Sequence, residues 1–307
     1  MIEPGTSLSE KRRAILIVNP NAGRGGARRA REVARFCKSL EARGVALETA
    51  ETKKAGDAAR LAARAEMEGW REIIVAGGDG TINEALQGLT RSDVRLAVWP
   101  RGTANVLARE LCLPFATERV AEVIARGRTR RISIGCATQE ATKVRRRFLL
   151  MAGIGLDASV VRGTNARLKR SIGEAAFWCS GLEHLARWQP HPFNVEIAGR
   201  TYRATFAAIG KVSRYGGNLA ITPRARPDES CFEICLVDSD SKLRYLKLLS
   251  QALRSRGVAE HLPYVQTLRA THVRITGETI VQADGELIGT LPMTFDILPE
   301  RIEIIVP

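Results

Sequence analysis

A glycine-rich turn at residues 77–84 joins a short apolar segment to a helical pattern. The segment at 73–76 reads Ile-Ile-Val-Ala, the turn reads Gly-Gly-Asp-Gly-Thr-Ile-Asn-Glu, and residues 85–89 carry apolar side chains at helical spacing. A buried strand that feeds a helix through glycines exposes backbone N–H groups at the positive end of the helix, where phosphate binds. The Asp79 carboxylate would repel phosphate. Its presence therefore predicts a divalent cation between the two groups, or a chemical role for the acid.

Strands and helices alternate through the first part of the chain. Apolar strand patterns lie at 14–18, 45–49, 72–76 and 96–99, and helical patterns lie near 26–43, 56–68, 82–88 and 117–126. Such alternation predicts a mainly parallel sheet with helices on both faces. Ligands collect beyond the carboxyl ends of the strands in these sheets. Three of the four strands are followed there by candidate loops, at 19–23, 77–81 and 100–103.

The pattern changes after residue 131. Short segments with alternating apolar residues dominate the later sequence, and two helical patterns lie near 168–188 and 243–257. Short alternating segments are typical of a mostly antiparallel β-sandwich. The predicted organisation is therefore an α/β domain at 1–131, which carries the candidate phosphate loops, and a β-rich substrate domain at 132–294.

Composition narrows the classes of partner. The net charge of +14 favours anions, which include nucleic acid, anionic lipid headgroups and nucleotides. Aromatic residues make up only 5% of the chain, which argues against a surface for stacking single-stranded nucleic acid. No apolar run has the length of a spanning helix, and the polar first residues do not resemble a signal peptide. The six cysteines lack metal-site spacing, which indicates reduced thiols in a cytosolic protein.

Four motifs occur in order from residue 18 to residue 286, almost the whole chain. They read Val-Asn-Pro-Asn-Ala-Gly at 18–23, Gly-Gly-Asp-Gly-Thr-Ile-Asn-Glu at 77–84, Pro-Arg-Gly-Thr-Ala-Asn-Val-Leu-Ala-Arg at 100–109 and Asp-Gly-Glu at 284–286. This set resembles the signatures of the diacylglycerol kinase catalytic superfamily, which includes bacterial lipid kinases, sphingosine and ceramide kinases and, more distantly, NAD kinases. As in that family, the last segment, about 295–307, would pack back on the first domain.

The resemblance implies an ATP site built from these loops. The phosphates would lie against backbone N–H groups and hydroxyls, with Mg²⁺ as the accompanying cation. The residues that the resemblance places along the nucleotide are Asn19, Thr52, Gly77, Gly78, Asp79, Gly80, Thr81, Ile82, Asn83, Glu84, Gly102 and Thr103. Residue type alone leaves plainer roles open, a strand-ending turn for Asn19 and a loop hydroxyl for Thr52.

The same resemblance implies two catalytic carboxylates. Glu286, at a turn between strands, would reach across a cleft and accept the proton of the acceptor hydroxyl. Asp79 would hold Mg²⁺ through water or help to activate the acceptor. In isolation, a solvated hairpin tip is the plainer interpretation of Glu286, and a helix N-cap is that of Asp79. Replacing either acid by its amide is expected to abolish phosphoryl transfer in a protein that still folds.

A structural metal site is expected with two departures from the family pattern. Residues 226–233 read Arg-Pro-Asp-Glu-Ser-Cys-Phe-Glu. They resemble a segment usually written Pro-Asp-Asp-Gly, where the second acid and nearby carbonyls bind structural Mg²⁺. Here Glu229 replaces that acid and Ser230 replaces the glycine, so Glu229 is the predicted metal ligand. A loop at 153–158 also resembles the family, and its acid, Asp157, would lie near the acceptor or the nucleotide.

These features predict an ATP- and Mg²⁺-dependent lipid kinase that phosphorylates a diacylglycerol- or sphingoid-type hydroxyl. Its basic surface would dock on anionic membrane, where a well-placed Lys or Arg contributes about 1 kcal/mol. We therefore expect a cytoplasmic protein, peripheral to the membrane, with a lipid substrate and no nucleic-acid partner. The sequence leaves the oligomeric state open, a homodimer included.

Two other functions stay open. A kinase of a soluble acceptor such as NAD would use the same kind of nucleotide loops. A regulator that binds nucleotide or nucleic acid without catalysis would fit the departures at Val106, where the family often has Asp, and at Glu229 and Ser230. The presence of Asp79 and Glu286 argues against such a regulator.

Overall fold

The computed structural model describes residues 12–22, 27–91, 93–156, 188–214, 219–253 and 262–307. The helices in these ranges are α1 (Ala27–Glu41), α2 (Asp57–Met67), α3 (Asp79–Gly88), α4 (Val106–Glu110), α5 (Thr117–Arg126) and α6 (Lys242–Leu253). The strands are β1 (Arg12–Val18), β2 (Val45–Glu51), β3 (Glu72–Gly77), β4 (Arg95–Pro100), β5 (Thr129–Gln139), β6 (Arg145–Phe148), β7 (Met151–Ile154), β8 (Phe193–Ile197), β9 (Arg200–Ala204), β10 (Phe206–Gly210), β11 (Phe232–Val237), β12 (Val265–Ala270), β13 (His272–Thr276), β14 (Ile280–Ala283), β15 (Glu286–Thr290) and β16 (Met293–Ile305).

The first half of the larger sheet is parallel. β2, β1, β3 and β4 are neighbours in that order, and their pairings are parallel. β3 is buried along its whole length, as expected of a central strand with both faces covered. On α1, the ring of Phe36 stacks on Trp99 of β4 with 3.9 Å between the ring centroids. The predicted α/β architecture with a mainly parallel sheet is confirmed.

The second half is an antiparallel sandwich. β13, β8 and β9 extend the larger sheet, and β12, β11, β10, β7, β14 and β15 form a second sheet in that order, with antiparallel pairings. Apolar side chains of both sheets form one buried cluster, which includes Phe148, Val195, Ile209, Phe232 and Phe295. The predicted antiparallel β-sandwich is therefore confirmed as well.

A single strand, β16, joins the two halves. Its carboxyl-terminal residues pair in parallel with β4, and its first residues pair antiparallel with β13. β5 runs antiparallel to β16, and the register of this pair shifts between Ile297 and Arg301. The last segment was predicted to pack on the first domain, and the end of β16 does pair with β4. The strand begins at Met293, however, and its first residues pair with β13 of the second half.

Some boundaries differ from the predicted ones. α3 begins at Asp79, because the glycine turn itself supplies the first helical turn. α4 occupies a segment predicted as loop, since five residues are too few to show a helical period. β5 runs across residue 131, so the division at that residue stays a prediction. The helix predicted at 168–188 lies outside the described residues apart from Trp188, and α6 covers 242–253 of the helix predicted at 243–257.

In the part of the chain that the structure describes, no helix combines the length and the apolar character needed to cross a membrane.

Candidate active site

The loops after β3 and β4 touch each other at two glycines. A Cβ atom built on Gly102 would lie 2.5 Å from the Cα atom of Gly78, and one built on Gly78 would lie 3.0 Å from the Cα atom of Gly102. Next to them, the Arg101 amide donates to the Gly77 carbonyl at 2.9 Å. The two loops therefore meet through backbone alone, which only glycine permits at this distance.

The first predicted loop lies at the same edge of the sheet. The Asn19 side-chain amide donates to the Thr81 hydroxyl at 2.8 Å, and the Asn19 backbone amide donates to the Ala76 carbonyl at 3.0 Å. Thr52 is buried, and its amide donates to the Val18 carbonyl at 2.9 Å. The structure thus brings Asn19 and Thr52 to the carboxyl ends of β1 and β2, beside the glycine turn.

The start of α3 carries no side-chain cap. Its N-cap, Gly78, is extended, with φ −93° and ψ −177°, and provides no side-chain hydrogen bond. A Cβ atom on Gly77 would lie 2.5 Å from the Cβ atom of Thr81, so the helix can fold back over the strand end only because residue 77 is glycine. Backbone N–H groups at an uncapped helix start, together with the helix dipole, suit a phosphate group.

Asp79 caps a helix other than its own. Its two carboxylate oxygens accept the amide hydrogens of Val106 at 3.0 Å and of Leu107 at 3.1 Å, at the beginning of α4. Asp79 therefore acts as a helix cap, which is the plainer of its two interpretations, but it caps α4 rather than α3. A bond to Mg²⁺ through water stays a prediction. In the described ranges, no three His, Cys, Asp or Glu side chains lie together as a metal-binding group.

Three residues of the predicted nucleotide set have side chains engaged inside the protein, and their contact with a nucleotide stays a prediction. Ile82 is 2% exposed and belongs to the core of the α/β half. The Asn83 side-chain amide donates to the Asp284 carboxylate at 2.7 Å. The Glu84 carboxylate accepts the Ala58 amide at 3.0 Å, in the first turn of α2. These contacts fix α3 in place on three sides.

Asn105, which the prediction missed, closes the second glycine loop. Its side-chain oxygen accepts the Gly102 amide and its side-chain nitrogen donates to the Gly102 carbonyl, both at 2.8 Å. The residue has φ 46°, a left-handed conformation that Asn tolerates better than most residues. Thr103 lies exposed between these two residues, so its hydroxyl is available to a ligand. In the sequence, the Asn that comes two residues after Gly102-Thr103 was the signal that could have predicted this hydrogen-bonded loop.

Replacing Gly102 by Ala is expected to separate the two loops. The added methyl would meet the Gly78 Cα atom at 2.5 Å and the Asn105 side-chain oxygen at 2.9 Å. Because a backbone atom cannot yield as a flexible side chain does, we expect a loss of about 1–3 kcal/mol of stability and at least a roughly tenfold weaker ATP affinity. Calorimetric titration with ATP and thermal unfolding measure both. Gly80→Ala is the control for stability, since its nearest contact would be 3.9 Å away. Equal melting temperatures for the two variants would contradict the prediction.

Asp284 anchors the turn that carries Glu286. Its buried carboxylate accepts four N–H groups, from the Asn83 side chain at 2.7 Å and from the amides of Leu149, Leu150 and Met151 at 2.9, 2.9 and 3.0 Å. Burial raises the pKa of Asp284 to about 6, against the opposing effect of these hydrogen bonds. Its φ of 49° turns the chain at the tip. The Asp-Gly pair predicted the turn, but not that the carboxylate faces inward and ties the turn to α3.

Glu286 lies beside the start of α3. One carboxylate oxygen is 3.9 Å from the Cβ position of Gly80, and the other accepts a hydrogen bond from the Arg146 guanidinium at 3.2 Å. The side chain is 41% exposed and thus open to a ligand. The structure therefore brings the predicted base and the glycine turn together, although they are far apart in the sequence. Arg146 was missed, because the basic run at 143–147 looks in sequence like a solvated face.

The residues around Glu229 do not fit a divalent cation. The Glu229 carboxylate pairs with Arg269, and the Asp228 carboxylate pairs with Arg130 at 2.9 Å. The Lys211 ammonium donates to the backbone carbonyls of Glu229 and Cys231. A metal ion here would meet three positive charges and carbonyls that already accept hydrogen bonds, so these contacts do not support Glu229 as a metal ligand, which stays a prediction. Asp157 lies outside the described residues.

Two family models match the chain, one in each half. Residues 13–137 match the model described as diacylglycerol kinase catalytic domain, and residues 151–306 match the model described as YegS C-terminal NAD kinase beta sandwich-like domain. The chain is 31% identical over 296 residues to a diacylglycerol kinase of Mycobacterium tuberculosis, covering 95% of this chain and 94% of that protein. It is 28% identical over 302 residues to a diacylglycerol kinase of Bacillus subtilis, covering 96% and 97%.

Solved structures show the same fold over the whole chain. The crystal structure of a diacylglycerol kinase from Bacillus anthracis superposes with a TM-score of 0.74 at 21% identity, covering 97% of this chain and 98% of that one. A second structure from that organism superposes with a TM-score of 0.80 at 24% identity, covering 99% and 98%. Both halves of the fold, and their arrangement, are therefore shared with these proteins.

Proposed function

We propose, because the chain belongs to the diacylglycerol kinase family, that it transfers the γ-phosphoryl group of ATP to a lipid hydroxyl of the diacylglycerol or sphingoid type. The observation that carries this proposal is the position of the Glu286 carboxylate, 3.9 Å from the Cβ position of Gly80 in the first turn of α3. A candidate base thus stands beside a candidate phosphate site, which is the arrangement that phosphoryl transfer requires.

The glycine loops are suited to hold the phosphates. The uncapped start of α3 presents backbone N–H groups, and the contact between Gly78 and Gly102 leaves no side chain between the two loops. Thr103 adds an exposed hydroxyl at the loop tip. These groups would hold an anion by backbone amides, the helix dipole and one side-chain hydroxyl, without a Lys of the kind that P-loops use.

Asp79 is the residue that would hold Mg²⁺, through water. Its oxygens accept the backbone amides of Val106 and Leu107, which holds the carboxylate at the start of α4, beside the second glycine loop. Mg²⁺ keeps several waters and commonly uses one or two carboxylates together with substrate phosphates, so a single acid at this position fits. When bound, the ion would neutralise phosphate charge.

Glu286 would act as the general base. It takes the proton of the acceptor hydroxyl while the acceptor oxygen forms a bond to the γ-phosphorus. The bond between that phosphorus and the β,γ-bridging oxygen breaks, and ADP leaves with the electron pair. Arg146, whose guanidinium donates to the Glu286 carboxylate at 3.2 Å, would orient the base.

The lipid acceptor is proposed from the relatives and from charge. The named relatives are diacylglycerol kinases, and the net charge of +14 suits peripheral contact with an anionic cytoplasmic membrane surface. A soluble acceptor such as NAD is the second candidate, because the model that matches residues 151–306 is described as NAD kinase beta sandwich-like.

A label-transfer assay tests the proposal. The purified protein, with Mg²⁺ and ATP labelled in the γ-phosphate, is incubated with mixed vesicles that contain diacylglycerol and sphingosine, with NAD, or with buffer alone. We expect label in the organic phase, and chromatography then shows which lipid carries it. Label on NAD would replace the lipid kinase by the soluble-acceptor kinase. Absence of label on every acceptor would overturn the proposed activity in favour of a non-catalytic nucleotide-binding protein.

A further inference from the structure

A buried ammonium group lies beside the turn that precedes β11. Lys211 directly follows β10 and is fully buried. Its ammonium donates to the carbonyl of Glu229 and, at 3.2 Å, to the carbonyl of Cys231. Its backbone amide donates to the Leu150 carbonyl at 2.8 Å, next to the segment that binds Asp284. A lysine is almost never buried unless its charge has partners, so these contacts require an explanation.

The carbonyls that accept hydrogen bonds from the Lys211 ammonium belong to a turn that is also hydrogen-bonded to β5. Ser133 of β5 is fully buried, and its hydroxyl donates to the Glu229 carbonyl at 2.6 Å. The Ser133 amide donates to the Pro227 carbonyl at 3.0 Å. β5 therefore holds the turn at 227–231 from one side, and Lys211 holds it from the other. Carbonyl oxygens converging on one point are the ligands that a hard cation uses.

We propose that the Lys211 ammonium is the cation of this turn and takes the place of a structural metal ion. The turn is the one whose sequence resembles a metal-binding Pro-Asp-Asp-Gly segment, and its carbonyls accept hydrogen bonds from the Lys211 ammonium instead. A tethered ammonium supplies a positive charge and N–H donors to these oxygens without a binding equilibrium. The turn therefore folds without a divalent cation.

The surrounding charges favour the same assignment. Asp228 pairs with Arg130, Glu229 pairs with Arg269, and the Ser230 hydroxyl accepts a hydrogen bond from Arg301 at 2.6 Å. A divalent ion would have to compete with the two arginines for the carboxylates of Asp228 and Glu229, whereas a single ammonium is balanced by carbonyl dipoles. Burial lowers the pKa of Lys211 to about 8, which still leaves the group mostly charged at neutral pH.

Metal binding to the unchanged protein is the first test. Mn²⁺ is titrated into the full chain without nucleotide, and the free Mn²⁺ is measured by its electron paramagnetic resonance signal. The Glu229→Gln variant is titrated in the same way. We expect the same binding curve for both proteins, and no rise in melting temperature with Mg²⁺. A Mn²⁺ site in the unchanged protein that Glu229→Gln removes would overturn the proposal. This result does not depend on catalysis, so it is independent of the proposed kinase activity.

Chemical rescue is the second test. Lys211→Ala removes the atoms of a propylammonium group, and we expect a fall in melting temperature of roughly 5 °C or more. Propylammonium should restore part of that loss, whereas 1-propanol, of similar shape but uncharged, should not. The control is Leu248→Ala, because Leu248 of α6 is a buried apolar residue. Neither additive should raise the melting temperature of this variant. An unchanged melting temperature for Lys211→Ala, or a loss that propylammonium does not reduce, would overturn the proposal.

Discussion

Replacing Glu286 by Gln is expected to reduce the rate of phosphoryl transfer by about 10²–10⁴-fold, the range for the loss of a general base. Gln has the same shape as Glu but cannot accept a proton from the acceptor hydroxyl. Its amide can still lie beside Gly80 and Arg146, so the fold should not change. Initial rates of label transfer measure the effect, and titration with ATP shows whether the nucleotide still binds.

The control for this substitution is Glu278→Gln. Glu278 is exposed on the turn before β14, in the same half of the protein. We expect this variant to keep the rate of the unchanged protein. If Glu286→Gln also kept that rate, Glu286 would have no part in proton transfer. If it lost the rate together with ATP binding, the carboxylate would act in the nucleotide site rather than as a base.

Replacing Asp284 by Asn is expected to damage both stability and activity. The carboxylate accepts four N–H groups, and Asn would turn an NH₂ group toward some of these donors. We expect a loss of about 2–4 kcal/mol in the free energy of unfolding. The rate should also fall, because the turn that carries Glu286 loses its anchor on α3. Denaturant unfolding and the label-transfer assay measure the two effects, with exposed Asp240→Asn as the control.

The same residue gives a pH dependence with a defined sign. Burial raises the pKa of Asp284 to about 6 in the folded protein, above the value near 3.9 of an unfolded chain. The folded state therefore binds the proton more tightly, and this stabilisation is complete below about pH 4 and is lost as pH rises through about 6. A shift of about two units corresponds to roughly 3 kcal/mol. The free energy of unfolding of the unchanged protein should thus fall over this range relative to Asp284→Asn. A difference that is constant with pH would contradict the shift.

The parallel sheet and its loops could be predicted because their signals are local. Apolar runs mark the strands, and glycines mark the points where backbone must approach backbone, as at Gly78 and Gly102. Fold rules then place successive loops at one edge, so the meeting of Asn19, Gly77 and Gly102 needed no knowledge of side-chain contacts. The motif order placed Glu286 with these loops only through resemblance, since nothing in the spacing of the chain brings residue 286 near residue 80.

The sequence did not show which groups the charged side chains contact. Asp79 binds the start of α4, a helix too short to predict, and Asp284 binds amides between β6 and β7 that no pattern points to. Lys211 directly follows an apolar strand, and no local pattern indicates that its side chain is buried. Each of these roles depends on a distant segment of the chain, so local sequence could indicate the residue but not its contact.

The continuity of β16 limits how the two halves can move relative to each other. Because this strand pairs with β4 at one end and with β13 at the other, the two halves cannot rotate about a flexible linker as domains with a free hinge do. Opening and closing must bend the shared sheet itself, and the register shift between Ile297 and Arg301 is where its hydrogen-bond ladder with β5 already breaks. A movement of one half against the other would therefore take the form of sheet flexure rather than of rotation about a hinge.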